Sequence, residues 1–399
     1  METITEIYHN LLTLSIYRRV ITCPVTSRLT ALLRAAAQGE QDTAASAWGE
    51  LIGYLSERGD TTGLLSAVLG EIRTDENPFS LAAAAGIART PEVDELAARD
   101  LSLLYRAASV ELAVPVRAVP KLNMRPAEKP FDRPWEQCLS HLADFHCTHG
   151  VGLFVDDYAL VWENEELHPV SHPDPIRLSD LKEYAYQHGV ADENTRAFLQ
   201  GASCNNILLY GDRGTGKSST VKALLNEYAH KGLRMIELHK RDLNDLPRLT
   251  EYLAAIPMRF ILFIDDLSFV GGENDFAALK AVLEGGLAAR PDNVLMYATS
   301  NRRHLLRESF SDRGHDDVHH ADTVQEAVSL SDRFGICLTF LIPDKQRFLR
   351  IVEQIASDEG IDMPVTKLLA EAERWAMERG ARSPRFARQF ITDLKAKMI

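Results

Sequence analysis

A chain of 399 residues with 45% apolar side chains can bury a substantial core and exceeds one typical domain, so two or three domains are expected. Its formal net charge of −13 argues against sequence-independent binding of nucleic acid over the whole surface, although a local basic groove stays compatible. Cys23, Cys138, Cys147, Cys204 and Cys337 are scattered and odd in number, which argues against a disulfide framework.

No apolar run approaches the roughly 18 residues of a membrane span. The N-terminal METITEIYHN lacks a basic-then-apolar signal pattern, so a cytoplasmic protein is expected. Residues 1–113 read as helical: Tyr8, Leu11, Leu12, Leu14, Ile16 and Tyr17 fall on near-helical spacings, and the segment 27–37 starts on a serine suited to capping. Segments 44–57, 64–72 and 93–112 repeat the pattern, with Gly59, Pro78 and Pro91 as breaks. No catalytic constellation stands here, which suggests an accessory domain that binds a partner or regulates.

Pro115, Pro120, Pro126, Pro130 and Pro134 then mark residues 114–134 as an extended linker, and Arg117, Lys121, Arg125, Lys129 and Arg133 give it a solvated basic stripe. Residues 135–175 form a connecting segment of one helix and short strands. Cys138 and His141 could meet on one helix face, with His146 nearby, but paired metal-ligand spacing is missing and Leu139, Leu142 and Phe145 mark a packed helix. No metal is assigned there. Residues 152–163 read as one or two strands and 168–174 as a turn.

Residues 176–200 carry amphipathic helices that lead into a short apolar run, 206–210, long enough for a buried strand and too short for a helix. Gly211, Gly216, Lys217 and Ser218 follow in the G-x-x-x-x-G-K-[ST] spacing of a P-loop. Glycines allow successive N–H groups to face one point, and the following helix N-terminus adds positive character. Lys217 can then reach β- and γ-phosphates, and the Ser218 hydroxyl can ligate Mg²⁺. Gly214, Thr215 and Ser219 belong to the same cradle, while Asp212 and Arg213 are expected to point outward. Strand context before and helix context after argue against an ordinary glycine-rich turn. The chain is expected to bind a nucleoside triphosphate, with Tyr184 or Tyr186 as weak candidates near the base.

Strand and helix patterns then alternate, which implies a parallel sheet with crossovers. Helices are expected at 218–230, 246–255, 276–287 and 303–310, and strands at 234–238, 259–264, 294–299 and 336–342. Three further helices follow at 345–359, 365–379 and 384–397. The second strand ends on Asp265 and Asp266, placed to orient the Mg²⁺ shell and to polarise an attacking water. Asn301, with Thr299 as the reserve, follows the next strand and can position that water or touch the γ-phosphate. Arg333 precedes the last strand and could reach a neighbouring subunit's site, and Arg385 would project toward the phosphates from the first turn opened by Pro384. His315, His319 and His320 lie in a polar loop, 311–328, that reads as solvated.

The motifs GDRGTGKSS, FILFIDDLSF, YATSN, SLSDRFG and RSPRFAR, in this order, resemble Walker A, Walker B, sensor 1, arginine finger and sensor 2 of an AAA+ ATPase. The wording ALKAVLEGGLAARPDNVLMYATSNRRHL and SPRFARQF is similar to a bacterial family labelled domain of unknown function 815. The resemblance implies Lys217 and Ser218 on phosphate and Mg²⁺, Asp265 supporting Mg²⁺, Asn301 as sensor 1, Arg333 as trans-acting finger and Arg385 as cis-acting sensor 2. Asp266 stands where AAA+ proteins usually carry a catalytic glutamate, which suggests slow turnover.

The expected fold is α/β: a parallel αβα P-loop domain (176–343) with a helical lid (344–399), preceded by the helical region. The expected function is ATP binding and slow Mg²⁺-dependent hydrolysis, coupled to a homo-oligomer (a hexamer or an open spiral) and an unknown protein client. Nucleic acid is not indicated. A nucleotide-gated adaptor that hardly turns over is the first alternative, and a P-loop kinase the second.

Overall fold

The computed structural model describes residues 3–57, 63–110, 131, 133–267, 279, 283, 291–301 and 333–398. Most of the expected linker, the helix at 303–310, the histidine loop at 311–328 and residues 331 and 332 lie outside the described residues, as does the helix at 276–287 apart from the helical Leu279 and Leu283. The chain divides into two compact units, Met1–Asp156 and Asp157–Ile399. The segment expected as a connector is therefore shared out. Trp135, Cys138 and Leu142 are buried in the core of the first unit, and residues from Asp157 onward belong to the second.

The first unit is helical: α1 (Ile4–Leu11), α2 (Pro24–Gln38), α3 (Gln41–Glu57), α4 (Leu64–Thr74), α5 (Pro78–Ala84), α6 (Pro91–Ser109) and α7 (Leu139–His149). Leu11, Leu29, Leu33, Val68, Ile72 and Leu101 belong to one apolar core. Three local expectations are corrected. Helix α2 starts at Pro24, not Ser27, because the Glu71 carboxylate of α4 takes the amides of Val25 and Thr26 at 2.6 and 2.9 Å. A distant side chain does the work of a local cap. Pro78, expected as a break, opens α5, with Asn77 accepting from the amides of Phe79 and Ser80; proline suits a first turn that needs no donor. Residues Gly152–Val155, expected as strand, form a 3₁₀ turn.

Cys138 and His146 are buried while His141 is exposed, and His146 Nδ1 pairs with the Gly150 carbonyl at 2.9 Å. The three side chains do not share one helix face. Among the described residues no group of three or more histidine, cysteine and carboxylate side chains could hold a metal ion, and no helix is long and apolar enough to cross a membrane.

The second unit is built on seven strands: β1 (Ala159–Glu163), β2 (Glu166–Pro169), β3 (Ile207–Gly211), β4 (Leu233–Leu238), β5 (Arg259–Ile264), β6 (Val294–Ser300) and β7 (Ile336–Phe340). Their order is β2-β1-β4-β5-β6-β3-β7. Every pairing is parallel except β1 with β2. β6 is buried along its whole length and β5 along all but its first residue, as strands covered on both faces must be. The last two residues of β2, His168 and Pro169, occupy ground expected as a turn. Asn164 and Glu165, at φ 53° and 63°, make a left-handed two-residue connection that lets the chain double back.

The described helices of this unit are α8 (Ala185–Leu199), α9 (Lys217–Tyr228) and α10 (Leu246–Ala254), then α11 (Lys345–Asp358), α12 (Val365–Arg379) and α13 (Pro384–Met398). The last three enclose their own apolar core around Phe348, Ile351, Val352, Ala372 and Ile391. Residues 176–184, expected as helix, hold instead a 3₁₀ turn at Leu178–Asp180 and a left-handed pair, Glu183 and Tyr184 at φ 65° and 55°. Since β3 lies between β6 and β7, and β6 lies beside β5, the C-terminal ends of β3, β5 and β6 come together. Ligands of open α/β sheets bind at such an edge.

Candidate nucleotide site

A cavity of about 830 Å³ opens over these strand ends. The loop 213–219, Asp265, Asp266 and Asn301 form its floor, Ile176, Leu181, Tyr184 and His188 one wall, and Ile351, Ile355, Arg385 and Arg388 another. The loop is shaped by two close approaches. Gly211, at φ 133°, lies so near β7 that a Cβ there would sit 2.1 Å from the Phe340 carbonyl oxygen. Gly214, at φ 75°, is pressed against the start of α13, where a Cβ would meet Ser383 Oγ at 2.7 Å. No other residue type fits at Gly211, where the clash is with backbone, and a side chain at Gly214 would force Ser383 to shift. The Arg385 N–H donates to the Gly214 carbonyl at 3.1 Å, tying the loop to α13.

Lys217 opens α9 and is buried, 5% exposed. Its ammonium donates to the carbonyls of Gly211 and Asp212 at 3.0 and 2.7 Å and to Asn301 Oδ1 at 3.0 Å. Burial pulls its pKa down to about 8 against the opposing pull of Asp212, Asp265 and Asp266. One Asp265 oxygen, Oδ1, accepts from Ser218 Oγ at 2.6 Å, Thr299 Oγ1 at 2.5 Å and the Asp266 N–H at 3.1 Å. Asp266 adopts φ 53°, a conformation that short polar residues tolerate, and its Oδ1 accepts from Asn301 Nδ2 at 2.5 Å. Lys240 lies 3.9 Å from Asp266 Oδ2 with both groups well exposed, so that ion pair contributes little. The hydroxyl of Ser218 and the carboxylate of Asp265 are hard oxygen donors side by side, a pair suited to Mg²⁺.

The structure thus brings Lys217, Ser218, Asp265, Asp266, Asn301 and Arg385 to one cavity, together with Arg213, Gly214, Thr215, Gly216 and Ser219. Arg213 is exposed although it also borders the cavity, whereas Asp212, expected to point outward, does not do so. Its side chain is buried, and Oδ2 accepts the Ile342 N–H at 2.8 Å; an unpaired main-chain donor beyond β7 draws the carboxylate in. Tyr184 lines the cavity while Tyr186 is 75% exposed and does not. Arg333 is not part of the lining.

Sequence reasoning passed over Arg388 and His188. Arg388 follows Arg385 by three residues and His188 follows Tyr184 by four, so helical spacing alone puts each on the same face as a candidate. Arg388 Nη2 donates to the Asp180 carbonyl at 3.4 Å. Burial drives the His188 pKa down to about 4, so its imidazole is neutral. Ile176, Ile351 and Ile355 carried no signal, because an apolar residue on a cavity wall looks like any core residue.

Fold and cavity together define an α/β domain with a mostly parallel sheet, a P-loop-type glycine loop at the end of β3, the strand next to the β7 edge, and three end helices beside the cavity. Residues 156–398 match the family described as "Protein of unknown function (DUF815)", and the chain belongs to that family. No curated protein matches the chain. Among solved structures it is similar to the Thermotoga maritima RuvB Holliday junction branch migration motor, at 14% identity and a TM-score of 0.33, over 55% of this chain and 72% of that one. It is also similar to C. elegans PCH-2, at 16% identity and a TM-score of 0.35, over 56% of this chain and 71% of the other. Likenesses this distant say nothing of what this chain binds or acts on.

Proposed function

We propose that this chain is an AAA+ ATPase that binds ATP with Mg²⁺, hydrolyses it slowly, and couples nucleotide state to self-assembly and to action on a protein client. The observation that carries the reading is the floor of the cavity, where a buried lysine, a serine–aspartate pair and an asparagine–aspartate pair converge at adjoining strand ends. In this reading Lys217 and Arg385 bind the phosphates, Ser218 and Asp265 hold Mg²⁺, and Tyr184, His188 and the isoleucines enclose the base. Mg²⁺ bound there would neutralise charge on the phosphate oxygens. Asp266 orients the attacking water and accepts its proton, with Asn301 holding that carboxylate in place. Arg333, outside its own cavity, suits a neighbour's site, and the helical first unit suits the client.

A nucleotide-gated adaptor is the second reading. It is favoured by Asp266, one methylene shorter than a glutamate and already tied to Asn301 at 2.5 Å. Light-scattering mass with and without ATP·Mg²⁺, with phosphate release followed in the same samples, separates the two. Assembly with release is expected for the ATPase, whereas ATP binding without release would leave the adaptor.

The low pKa of Lys217 gives this site a pH signature. Below pH 8 the ammonium is already charged and ATP affinity should be flat. Above it the free protein loses that proton while bound phosphate favours keeping it, so binding must take up a proton and weaken by up to about tenfold per pH unit. Calorimetric titrations from pH 7 to 9.5 in buffers of differing ionisation enthalpy would show the uptake directly; affinity that stays flat above pH 8 would remove Lys217 from the phosphates.

A further inference from the structure

The connection from β7 to α11, residues 341–344, carries the end helices; Pro343 is buried, but the connection's two larger apolar side chains are poorly packed, Leu341 being 56% and Ile342 41% exposed. Two polar side chains hold it instead. The Asp212 carboxylate accepts the Ile342 N–H at 2.8 Å, and the Tyr184 hydroxyl donates to the Leu341 carbonyl at 2.6 Å. Asp212 belongs to the P-loop, and its own carbonyl accepts Lys217 Nζ at 2.7 Å. Tyr184 lines the cavity, its ring packed on Phe340 with centroids 5.0 Å apart.

We propose that Asp212 and Tyr184 are positioning residues through which the phosphate end and the base end of a bound nucleotide set the connection 341–344, and with it the lid. The proposal rests on the ATP-site reading above. Phosphate oxygens compete for the Lys217 ammonium. Drawing it forward leaves the Asp212 carbonyl with Thr215 Oγ1, at 2.8 Å, as its remaining side-chain donor and loosens that peptide. Because the same residue grips Ile342 through its carboxylate, the loosening passes into the connection. At the base end, Glu183 and Tyr184 hold left-handed conformations that cost free energy for residues with a Cβ. A base packed on the Tyr184 ring stabilises that strained turn, and the hydroxyl fixes Leu341. The turn is tied to α11 as well, by Lys182 to Asp358 at 2.6 Å and Glu183 to Arg350 at 3.1 Å. These contacts give the lid ties to both ends of one ligand, which a simple flexible connector would not have.

Amide hydrogen exchange over residues 345–350 in the first turns of α11 tests this, in wild type, Asp212→Ala, Tyr184→Phe and the double variant. Each is held at saturating ATP, with binding fixed by calorimetry on the same sample. ATP is expected to slow exchange there in wild type. Each single variant should lose roughly tenfold of that protection, the scale of one charge-assisted or buried hydrogen bond, and the double variant all of it. Asp212→Asn, which keeps an acceptor for Ile342, should recover most. A purely structural role would lower the melting temperature with and without ATP alike and leave the ATP-dependent difference intact. A double variant that binds ATP and protects these amides as wild type does overturns the proposal, and so does a wild type that binds ATP without any change there. A wild type that binds no ATP overturns the site reading itself. Should Asp212→Ala fail to fold, Tyr184→Phe, which removes one hydroxyl, carries the test alone, and unchanged protection in it overturns the proposal.

Discussion

Lys217→Ala is expected to weaken ATP binding at least about a hundredfold, corresponding to roughly 3 kcal/mol for a buried, charge-assisted contact to phosphate. The ammonium is nearly enclosed and already turned toward the strand ends, where it serves Gly211, Asp212 and Asn301. It acts in a setting of low effective dielectric, so its attraction for phosphate is far stronger than that of a surface lysine. The substitution should not destabilise the free protein much. Burial disfavours the charged form of this side chain, as its lowered pKa records, so removing it relieves a cost as well as three hydrogen bonds. The combination of an intact melting transition and lost binding is the distinctive result. Calorimetric titration with ATP·Mg²⁺ and a thermal melt on the same preparation read both. Tight binding retained in Lys217→Ala would move the phosphates out of the cavity floor.

Arg333→Ala should leave ATP binding near wild type and lower hydrolysis by about a thousandfold, the scale of an arginine that offsets charge on the transferring phosphoryl group. The residue does not line its own cavity, so the loss is expected only if a second copy supplies the guanidinium. Mixing supplies the decisive arm. Lys217→Ala protein cannot load its own site but still carries Arg333. Combined with Arg333→Ala protein, which has an intact cavity, it should rebuild complete sites at the junctions, and phosphate release should return in part. A mixture as inactive as either component would mean self-contained sites and would leave Arg333 without the proposed role. Full activity in Arg333→Ala alone would remove it from the chemistry altogether.

Much of the second unit was legible because its strands are buried on both faces. Such strands appear as unbroken apolar runs, as at 207–210, 260–264 and 294–298, and the polar residues that end them stand out. Asp265, Asp266 and Asn301 attract notice for that reason, since a carboxylate or amide at the end of a buried strand costs free energy unless it holds something. The P-loop is legible because two glycines, a lysine and a serine must keep a strict spacing. Side chains whose partners lie far along the chain were not legible. Asp212 reads as a solvated loop residue until β7 brings Ile342 beside it, 130 residues on. The start of α2 was misplaced because its cap, Glu71, is 46 residues from Val25.

The sequence alone determined the P-loop spacing, the polar residues that end the buried strands and most of the alternation of strand and helix from β3 onward, because each of these is a local pattern. Only the tertiary structure decided where β1 and β2 belong. β1 pairs in parallel with β4, Ala159 opposite Met235, and a strand of five residues carries too little pattern to announce a partner so distant. The tertiary structure also decided which residues wall the cavity. Ile176 and Tyr184 precede the P-loop, while Ile351, Ile355 and Arg388 follow it by more than a hundred residues. Their convergence depends on the end helices meeting the P-loop and the turn before α8, through Arg385 to Gly214, Arg350 to Glu183 and Arg388 to Asp180. Periodicity reports that a face is apolar; it does not report which face it will meet.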